Sequence, residues 1–181
     1  SRCSYVVGIA LAGASVHKAW PWVPNLIYML LKGSPVSVVT MGDERDGLAL
    51  EVAIAQLLLK SAANMAYEET HAMGRGRLTE LVHKHYGGHR LRFASGLWPI
   101  RPSLTFTHRV NCMFGPETGL LNVVGMERDV HKLVMLSHSS RANLTKHWVN
   151  TESLLPAETI PCYPCHRLHP TAQWCPRHSE T

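Results

Sequence analysis

The sequence contains no apolar run that approaches the ~18–20 uncharged residues needed to cross a lipid bilayer. It also lacks a basic segment followed by an apolar segment and a small-residue cleavage site, which is the pattern of a secretory signal. Internal repeats with a period of roughly 20 to 50 residues are absent as well. These absences argue against a repeat architecture and favour a cytoplasmic protein, at most peripherally associated with the inner face of a membrane.

Charged residues are few, and they form no long run of one sign. Asp, Glu, Lys and Arg make up 17% of the chain, with a formal net charge of +5. The longest basic cluster, residues 83–92, is interrupted by Tyr86, Gly87 and Gly88. This pattern is typical of a surface that attracts phosphates or acidic lipids, and not of a continuous nucleic-acid groove. We therefore expect no specific nucleic-acid partner.

What the sequence does contain is an alternation of strand-like and helix-like segments. Its 181 residues, 45% of them hydrophobic, are enough for one domain with a core. Apolar runs predict strands at residues 5–12, 36–41, 90–94, 110–114 and 132–136. Helical segments lie at 23–31, 48–63 and 120–126, with a helix or helical turn at 102–108 and a loop and one more helix within 64–86. This order predicts an α/β fold, a Rossmann-like parallel sheet with helices on both faces over residues 1–155, followed by a loop-rich Cys/His tail at 156–181.

The segment Gly-Pro-Glu-Thr-Gly-Leu-Leu-Asn, residues 115–122, follows the fourth predicted strand and begins a helix-like run. A strand, a tight turn and a helix N-terminus therefore meet at one point, where backbone N–H groups face a ligand crevice in open α/β sheets. Glu117 and Thr118 would project a carboxylate and a hydroxyl into that crevice, which suits a polyol or a sugar. An ordinary turn with Thr118 as the helix cap remains the alternative.

The loop after the first predicted strand, residues 13–21, carries Lys18 between Ser15 and the Trp20-Pro21 pair. A lysine in such a loop can reach a diphosphate as a point charge. The Gly-x4-Gly-Lys-Ser/Thr spacing of a Walker loop is absent. A solvated loop lysine is the alternative interpretation.

The order of these features resembles a known family. Lys18-x-Trp20-Pro21 after the first strand, a later strand ending in Gly42-Asp43, and an acidic residue before Thr-Gly-Leu come in the order found in glycosyltransferase family 9, the ADP-heptose:lipopolysaccharide heptosyltransferases. The resemblance covers roughly residues 5–140 and is to the C-terminal, nucleotide-sugar-binding half of that family. It implies one Rossmann-like half of a GT-B fold.

The resemblance also implies roles for individual residues. Glu117 stands where the family usually has the Asp that holds sugar hydroxyls, and Asn122 stands where many members have His. The implied set comprises donor phosphate contacts at Lys18, Ser15, Thr118, Gly119 and Leu120, sugar contacts at Glu117 and Asn122, and nucleotide-proximal residues Asp43, Ser137 and His138. The two departures from the family pattern keep hydrogen-bonding capacity but change its reach.

The reaction that the resemblance implies is an inverting sugar transfer from a nucleotide-diphosphate sugar, with no cofactor required. The catalytic base of the family is an Asp in the N-terminal half, which the sequence does not contain. We therefore expect donor binding by this chain, and transfer only with a missing N-terminal domain or a partner chain that carries the acceptor site. The alternative is a non-catalytic nucleotide- or protein-binding module with a structural zinc tail.

The tail contains a second pattern, Cys162-x2-Cys165 followed by Cys175-x2-His178. Two pairs with this spacing fit the four tetrahedral ligands of a structural zinc site. His166 and His169 are alternative ligands. Reduced cysteines, or a disulfide formed after isolation, would also account for the pattern.

Overall fold

In a computed structural model of the chain, residues 5–175 are described, apart from the side chain of Asp46. Six parallel strands form one sheet in the order β3-β2-β1-β4-β5-β6. They are β1 Tyr5–Ala10, β2 Val36–Met41, β3 Leu91–Phe93, β4 Cys112–Pro116, β5 His131–Met135 and β6 Thr151–Leu154. This is the strand order of a doubly wound, Rossmann-like fold. The predicted fold class is confirmed.

The helices lie in the connections between the first five strands, whereas residues 136–150, between β5 and β6, form bends and turns. The helices are α1 Val23–Gly33, α2 Glu44–Ala63, α3 Tyr67–His71, α4 Arg75–Tyr86, α5 Ile100–Thr107 and α6 Gly119–Val123, with 3-10 turns at Val16–Lys18 and Ala172–Trp174. The segment 64–86 holds two helices where the sequence predicts one, and α2 begins four residues before its predicted start. None of the helices in the described part of the chain is both long and apolar enough to cross a membrane.

Two hydrophobic clusters pack against opposite faces of the sheet. On one face, α1, α2 and α4 contribute Ile27, Leu58 and Val82, all fully buried. On the other face, α6 contributes Leu121, which packs with Met113 and Val134 of the strands. Alternate residues of each strand point to opposite faces, so both clusters draw on the same strands. This explains why the central strands read as continuous apolar runs.

The edge strand β6 is the one strand of the described sheet that the apolar pattern misses. Its sequence, Thr-Glu-Ser-Leu, is polar, and its residues are alternately exposed and half-buried. It pairs with β5 in parallel, with Lys132 opposite Thr151 and Met135 opposite Leu154. An edge strand has one partner strand and a solvated side, so it needs few apolar residues.

The tail after β6 is loop-rich, as the sequence predicts, and it returns to the carboxyl ends of the strands. The N–H of Val16 donates to the carbonyl of His169 at 2.9 Å, and the N–H of His166 donates to the carbonyl of His138 at 2.9 Å. The Tyr163 hydroxyl donates to the carbonyl of Ser139 at 2.8 Å. The described tail, up to residue 175, therefore packs along the edge of the sheet where the predicted site residues lie.

Candidate functional site

The loops after β1 and β4 lie side by side at the carboxyl edge of the sheet. β1 and β4 are neighbours, with Val7 opposite Cys112 and Ile9 opposite Phe114, and the strand order reverses between them. A Cβ atom on Gly115 would lie 2.6 Å from the Ala10 carbonyl oxygen, so glycine allows the two strand ends to approach closely. This reversal is the topological switch point, where open α/β sheets bind ligands.

Lys18 crosses this switch point. Its Nζ donates a hydrogen bond of 2.6 Å to the backbone carbonyl of Glu117, and the residue is 8% exposed. A Cβ on Gly13 would lie 2.6 Å from the Lys18 Cδ, so glycine leaves room for the lysine stem. Burial lowers the pKa of Lys18, while the negative charge of Glu117 opposes that shift. The crevice therefore contains a largely desolvated cation.

The carboxylate of Glu117 organises the loop that follows β5. It accepts hydrogen bonds from the backbone N–H groups of Ser137, His138 and Ser139 at 3.1, 3.1 and 3.3 Å, and from the Ser137 hydroxyl at 3.2 Å. Its Oε1 also contacts Nδ1 of His138. Glu117 is 5% exposed, so in this structure its side chain holds protein groups in place at the floor of the crevice.

His138 is the titratable partner of this carboxylate, and it is nearly buried. Burial lowers the pKa of His138, and the positive charge of Lys18 lowers it further, while the negative charge of Glu117 raises it. The direction that results is downward, so the imidazole is neutral at physiological pH. Its ring Nδ1 lies 3.2 Å from the Ser137 hydroxyl, which connects two of the three predicted nucleotide-proximal residues.

The Thr-Gly-Leu segment begins a helix that is shorter than predicted. The carbonyl of Thr118 accepts from the N–H groups of Leu121 and Asn122 at 3.1 and 3.0 Å, and α6 ends at Val123. A helix of five residues aligns few peptide dipoles, so its field is weak. The Thr118 hydroxyl is buried and has no hydrogen-bond partner among residues 5–175. Gly119 and Asn122 are exposed, and Leu120 is half-buried.

The remaining predicted residues lie at the same edge of the sheet. Asp43 is exposed and directly precedes α2, after the end of β2. Ser15 is buried, and its hydroxyl accepts from the N–H of His169 at 3.2 Å. The structure thus brings Lys18, Glu117, Ser137 and His138 into one contact network and joins Ser15 to the tail.

Of the four predicted zinc ligands, Cys162, Cys165 and Cys175 are free thiols, and His178 lies outside the described residues.

A buried polar network that the sequence did not indicate lies beside the site, at the ends of β2 and β3. Glu51 of α2 is 1% exposed and accepts from the Thr40 hydroxyl at 2.6 Å and the Ser95 N–H at 2.9 Å. Its second carboxylate oxygen contacts the guanidinium of Arg75. An isolated acidic residue in the Ala- and Leu-rich helix α2 was the available signal, since such residues are rarely fully buried without partners.

A cavity of about 1170 Å³ extends from the crevice along the α1 side of the sheet. Lys18 and Ser137 line its end at the carboxyl edge, Phe114 and Leu133 line its floor, and the tail forms another wall. The cavity is largely apolar, so it adjoins the polar crevice without being the same site.

Comparison with known proteins places this geometry in a structural class. No protein-family model and no curated protein sequence matches the chain. The fold is shared with two solved structures. One is the ADP-heptose LPS heptosyltransferase II of E. coli, with a TM-score of 0.57 and 14% identity over 85% of this chain. The other is the family 9 glycosyl transferase of Veillonella parvula DSM 2008, with a TM-score of 0.56 and 14% identity over 87% of this chain. Fold and strand order therefore define the class: a Rossmann-like domain with the architecture of one half of a GT-B fold.

Within that class, the chain has the fold seen in glycosyltransferase family 9, as the sequence resemblance predicts. It spans 39% and 37% of the length of the two solved structures, which is about two fifths.

Proposed function

We propose that this chain is the donor-binding half of a glycosyltransferase and holds a nucleotide-diphosphate sugar in the crevice between β1 and β4. The observation that carries the proposal is the contact of Lys18 with Glu117 across the topological switch point of the sheet. Ligands of open parallel sheets bind outside the carboxyl ends of the strands at such a point. The shared fold of two glycosyltransferase structures supports the same class of ligand.

In this proposal the diphosphate takes the place of the Glu117 carbonyl as the acceptor for Lys18. A partly desolvated ammonium group binds a phosphate oxygen more strongly than a hydrated one, because less water competes for the charge. The Thr118 hydroxyl lies buried in the adjoining turn without a partner in the described part of the chain, and is available to a phosphate oxygen. The N–H groups of Gly119 and Leu120 are the proposed backbone donors.

The sugar is held by Glu117 in this proposal. Four of the five contacts of its carboxylate are made by Oε1, whereas Oε2 accepts from the Ser137 N–H at 3.1 Å. Because Oε2 has a single partner among the described residues, it can accept a further hydrogen bond from a sugar hydroxyl. Asn122, exposed on α6, is the proposed second sugar contact, and Asp43, Ser137 and His138 lie towards the nucleotide.

The donor of choice for a first test is ADP-heptose, since the E. coli neighbour is an ADP-heptose LPS heptosyltransferase. The chain covers about two fifths of its neighbours, and the proposal is therefore confined to donor binding. Acceptor binding and deprotonation of the acceptor hydroxyl are assigned to residues outside this chain.

The test is isothermal titration calorimetry of the purified chain with ADP, ADP-heptose and UDP-glucose. We expect ADP-heptose to bind, and Lys18→Ala to weaken that binding about tenfold to a hundredfold, because a hydrogen bond to a charged group contributes about 1.5–3 kcal/mol. Glu117→Ala should weaken the binding of ADP-heptose more than the binding of ADP, because the side chain is assigned to the sugar.

Lys84→Ala is the matched control, because Lys84 is an exposed lysine on α4 and its replacement removes the same net charge. The Lys84→Ala chain should bind ADP-heptose with the affinity of the unmodified chain. A folded chain that binds none of the three ligands would contradict the proposal, as would an equal loss of affinity in Lys18→Ala and Lys84→Ala.

A further inference from the structure

We infer that His17, His169 and Cys175 form a zinc site that fastens the C-terminal segment to the loop after β1. Their ligand atoms, one nitrogen from each imidazole and the Cys175 Sγ, all lie within 4.8 Å of one another. Tetrahedral zinc, with Zn–N of about 2.1 Å and Zn–S of about 2.3 Å, separates its ligand atoms by about 3.4–3.7 Å. Side-chain movements of about 1 Å would therefore bring all three onto one ion.

The chemistry of the donor set selects the metal. Two imidazole nitrogens and one thiolate are borderline and soft ligands, which suit Zn²⁺ and do not suit the oxygen-seeking ions Mg²⁺ and Ca²⁺. A site with three protein ligands leaves one tetrahedral position open. Water can occupy that position, because Cys162 and Cys165 line the same cavity but lie outside the group of ligand atoms within 4.8 Å of one another.

Cys112 also lines this cavity but is not counted among the ligands. Burial raises the pKa of the Cys112 thiol to about 11, so it stays protonated at neutral pH. Zinc binds the thiolate, and the half-exposed cysteines of the tail are the available sources of one.

The backbone already holds two of the three ligands next to each other. The N–H of Val16 and the hydroxyl of Ser15 both donate to the His169 carbonyl, at 2.9 and 3.2 Å. The rings of His17 and His169 meet edge to face, with centroids 5.4 Å apart. Cys175 follows the 3-10 turn Ala172–Trp174, and its N–H donates to the Ala172 carbonyl at 3.0 Å. Such preorganisation reduces the entropy that metal binding has to overcome.

This set differs from the one that the Cys-x2-Cys spacing predicts. The sequence pattern draws all four ligands from the tail, at Cys162, Cys165, Cys175 and His178. The inferred site shares Cys175 with that pattern but takes His17 from the first loop of the domain. A consequence is that the ion would also fix the residue next to Lys18, although the site does not depend on any role of Lys18.

The test uses the full chain, freed of metal by a chelator and kept reduced. We expect one zinc ion per chain in a competition with a chromophoric chelator, and no binding of Mg²⁺. Co²⁺ should give the intense visible bands of tetrahedral coordination and a thiolate charge-transfer band in the near ultraviolet.

Variants then identify the ligands. His17→Ala and His169→Ala should each lower zinc affinity at least about a hundredfold, since loss of a ligand costs more than the 10- to 100-fold of an outer partner. His17→Cys should keep the affinity for zinc and strengthen the thiolate band. That result would show that residue 17 supplies a ligand atom, and that the loss in His17→Ala does not come from a loss of fold. His166→Ala, an exposed tail histidine, is the matched control and should bind as the unmodified chain does.

Two outcomes would overturn the inference. One is a reduced, folded chain that binds no zinc. The other is binding that survives His17→Ala but is lost in Cys162→Ser and Cys165→Ser, which would assign the ion to the tail set instead. Circular dichroism of each variant, and a zinc-dependent rise in Tm that is present in the unmodified chain and absent in His17→Ala, separate loss of a ligand from loss of fold.

Discussion

Glu117 contributes to the crevice through both its backbone and its side chain. Its carbonyl accepts from Lys18 in the loop after β1, and its carboxylate accepts from three successive N–H groups in the loop after β5. A single residue after β4 therefore connects three strand ends. Replacing Glu117 would remove the side-chain contacts but leave the carbonyl, so Lys18 keeps its partner in a Glu117→Ala chain.

His138 gives the network a dependence on pH. The groups that face it are Glu117, which raises its pKa, and Lys18 and His166, which lower it, and burial is the largest cause of the downward shift. Because the folded-state pKa lies below the ordinary value of 6.5, the unfolded chain takes up a proton at a pH where the folded chain does not. The stability that comes from keeping His138 neutral in the folded chain is fully present above pH 6.5, and it is lost as the pH falls through the folded-state pKa.

We therefore predict that the free energy of unfolding decreases on acidification below pH 6.5 less steeply in His138→Asn than in the unmodified chain. The measurement is urea denaturation of both chains at a series of pH values. The contributions of the other histidines, which the two chains share, cancel in the comparison. His85→Asn, at an exposed position of α4, serves as the control and should leave the slope unchanged. Parallel pH curves for His138→Asn and the unmodified chain would contradict the prediction.

At the scale of the elements, α2 is held to the sheet by a polar network as well as by apolar packing. Glu51 connects α2 to β2 through the Thr40 hydroxyl, to the loop after β3 through the Ser95 N–H, and to α4 through Arg75. The carboxylate is fully buried, and buried charges are tolerated when each oxygen has partners. The network fixes the position of α2 along the strands.

Glu51→Ala should destabilise the chain by about 2–4 kcal/mol, because it leaves the buried Ser95 N–H without its acceptor and the Arg75 guanidinium without its anion. Chemical denaturation measures the loss. Glu80→Ala is the comparison, since Glu80 pairs with Arg77 on the exposed surface of the neighbouring helix and its removal should change stability by less than about 0.5 kcal/mol. Equal losses in the two variants would show that the buried network contributes nothing beyond a surface pair.

The elements that the sequence predicts and those that it misses differ in burial. The first five strands are predicted within a few residues because each carries a largely apolar run with at least two buried residues. β6 is missed because an edge strand can be polar, and α3 is missed because it has five residues and no long apolar stripe. The burial of Lys132 is also not predictable from the sequence. The apolar pattern includes this residue in β5, but its complete burial depends on the Glu127 carbonyl, which accepts a hydrogen bond from Nζ.

At the scale of the whole molecule, parallel strands explain why much of the site is predictable. All carboxyl ends lie at one edge, so Lys18, Glu117 and Ser137, each placed after a predicted strand, are expected at that edge. Their contact also requires β1, β4 and β5 to be neighbours, as they are in the observed strand order. Contacts made by the tail are not predictable in this way. The hydrogen bonds of His169 with Ser15 and Val16 join segments that are far apart in the chain and share no pattern.

The two core clusters share the same strands, so we expect loss of packing in one cluster to disturb the strands that support the other. Leu58 of α2 belongs to one cluster and Val134 of β5 to the other, and both are fully buried. Trp20 packs against the first cluster and Trp148 against the second, so fluorescence and near-ultraviolet circular dichroism report on both faces.

We predict that Leu58→Ala and Val134→Ala each lower Tm while unfolding remains a single transition. Leu58→Ala should cost about 2–5 kcal/mol, the range for emptying a buried leucine site, and Val134→Ala somewhat less because valine is smaller. Far-ultraviolet circular dichroism follows the helices, and tryptophan fluorescence follows the packing of both faces. Coincident curves mean that the sheet couples the two clusters into one cooperative unit. If Leu58→Ala lost helical signal at a temperature where the tryptophan signal was still native, the helices of that face would unfold independently of the sheet.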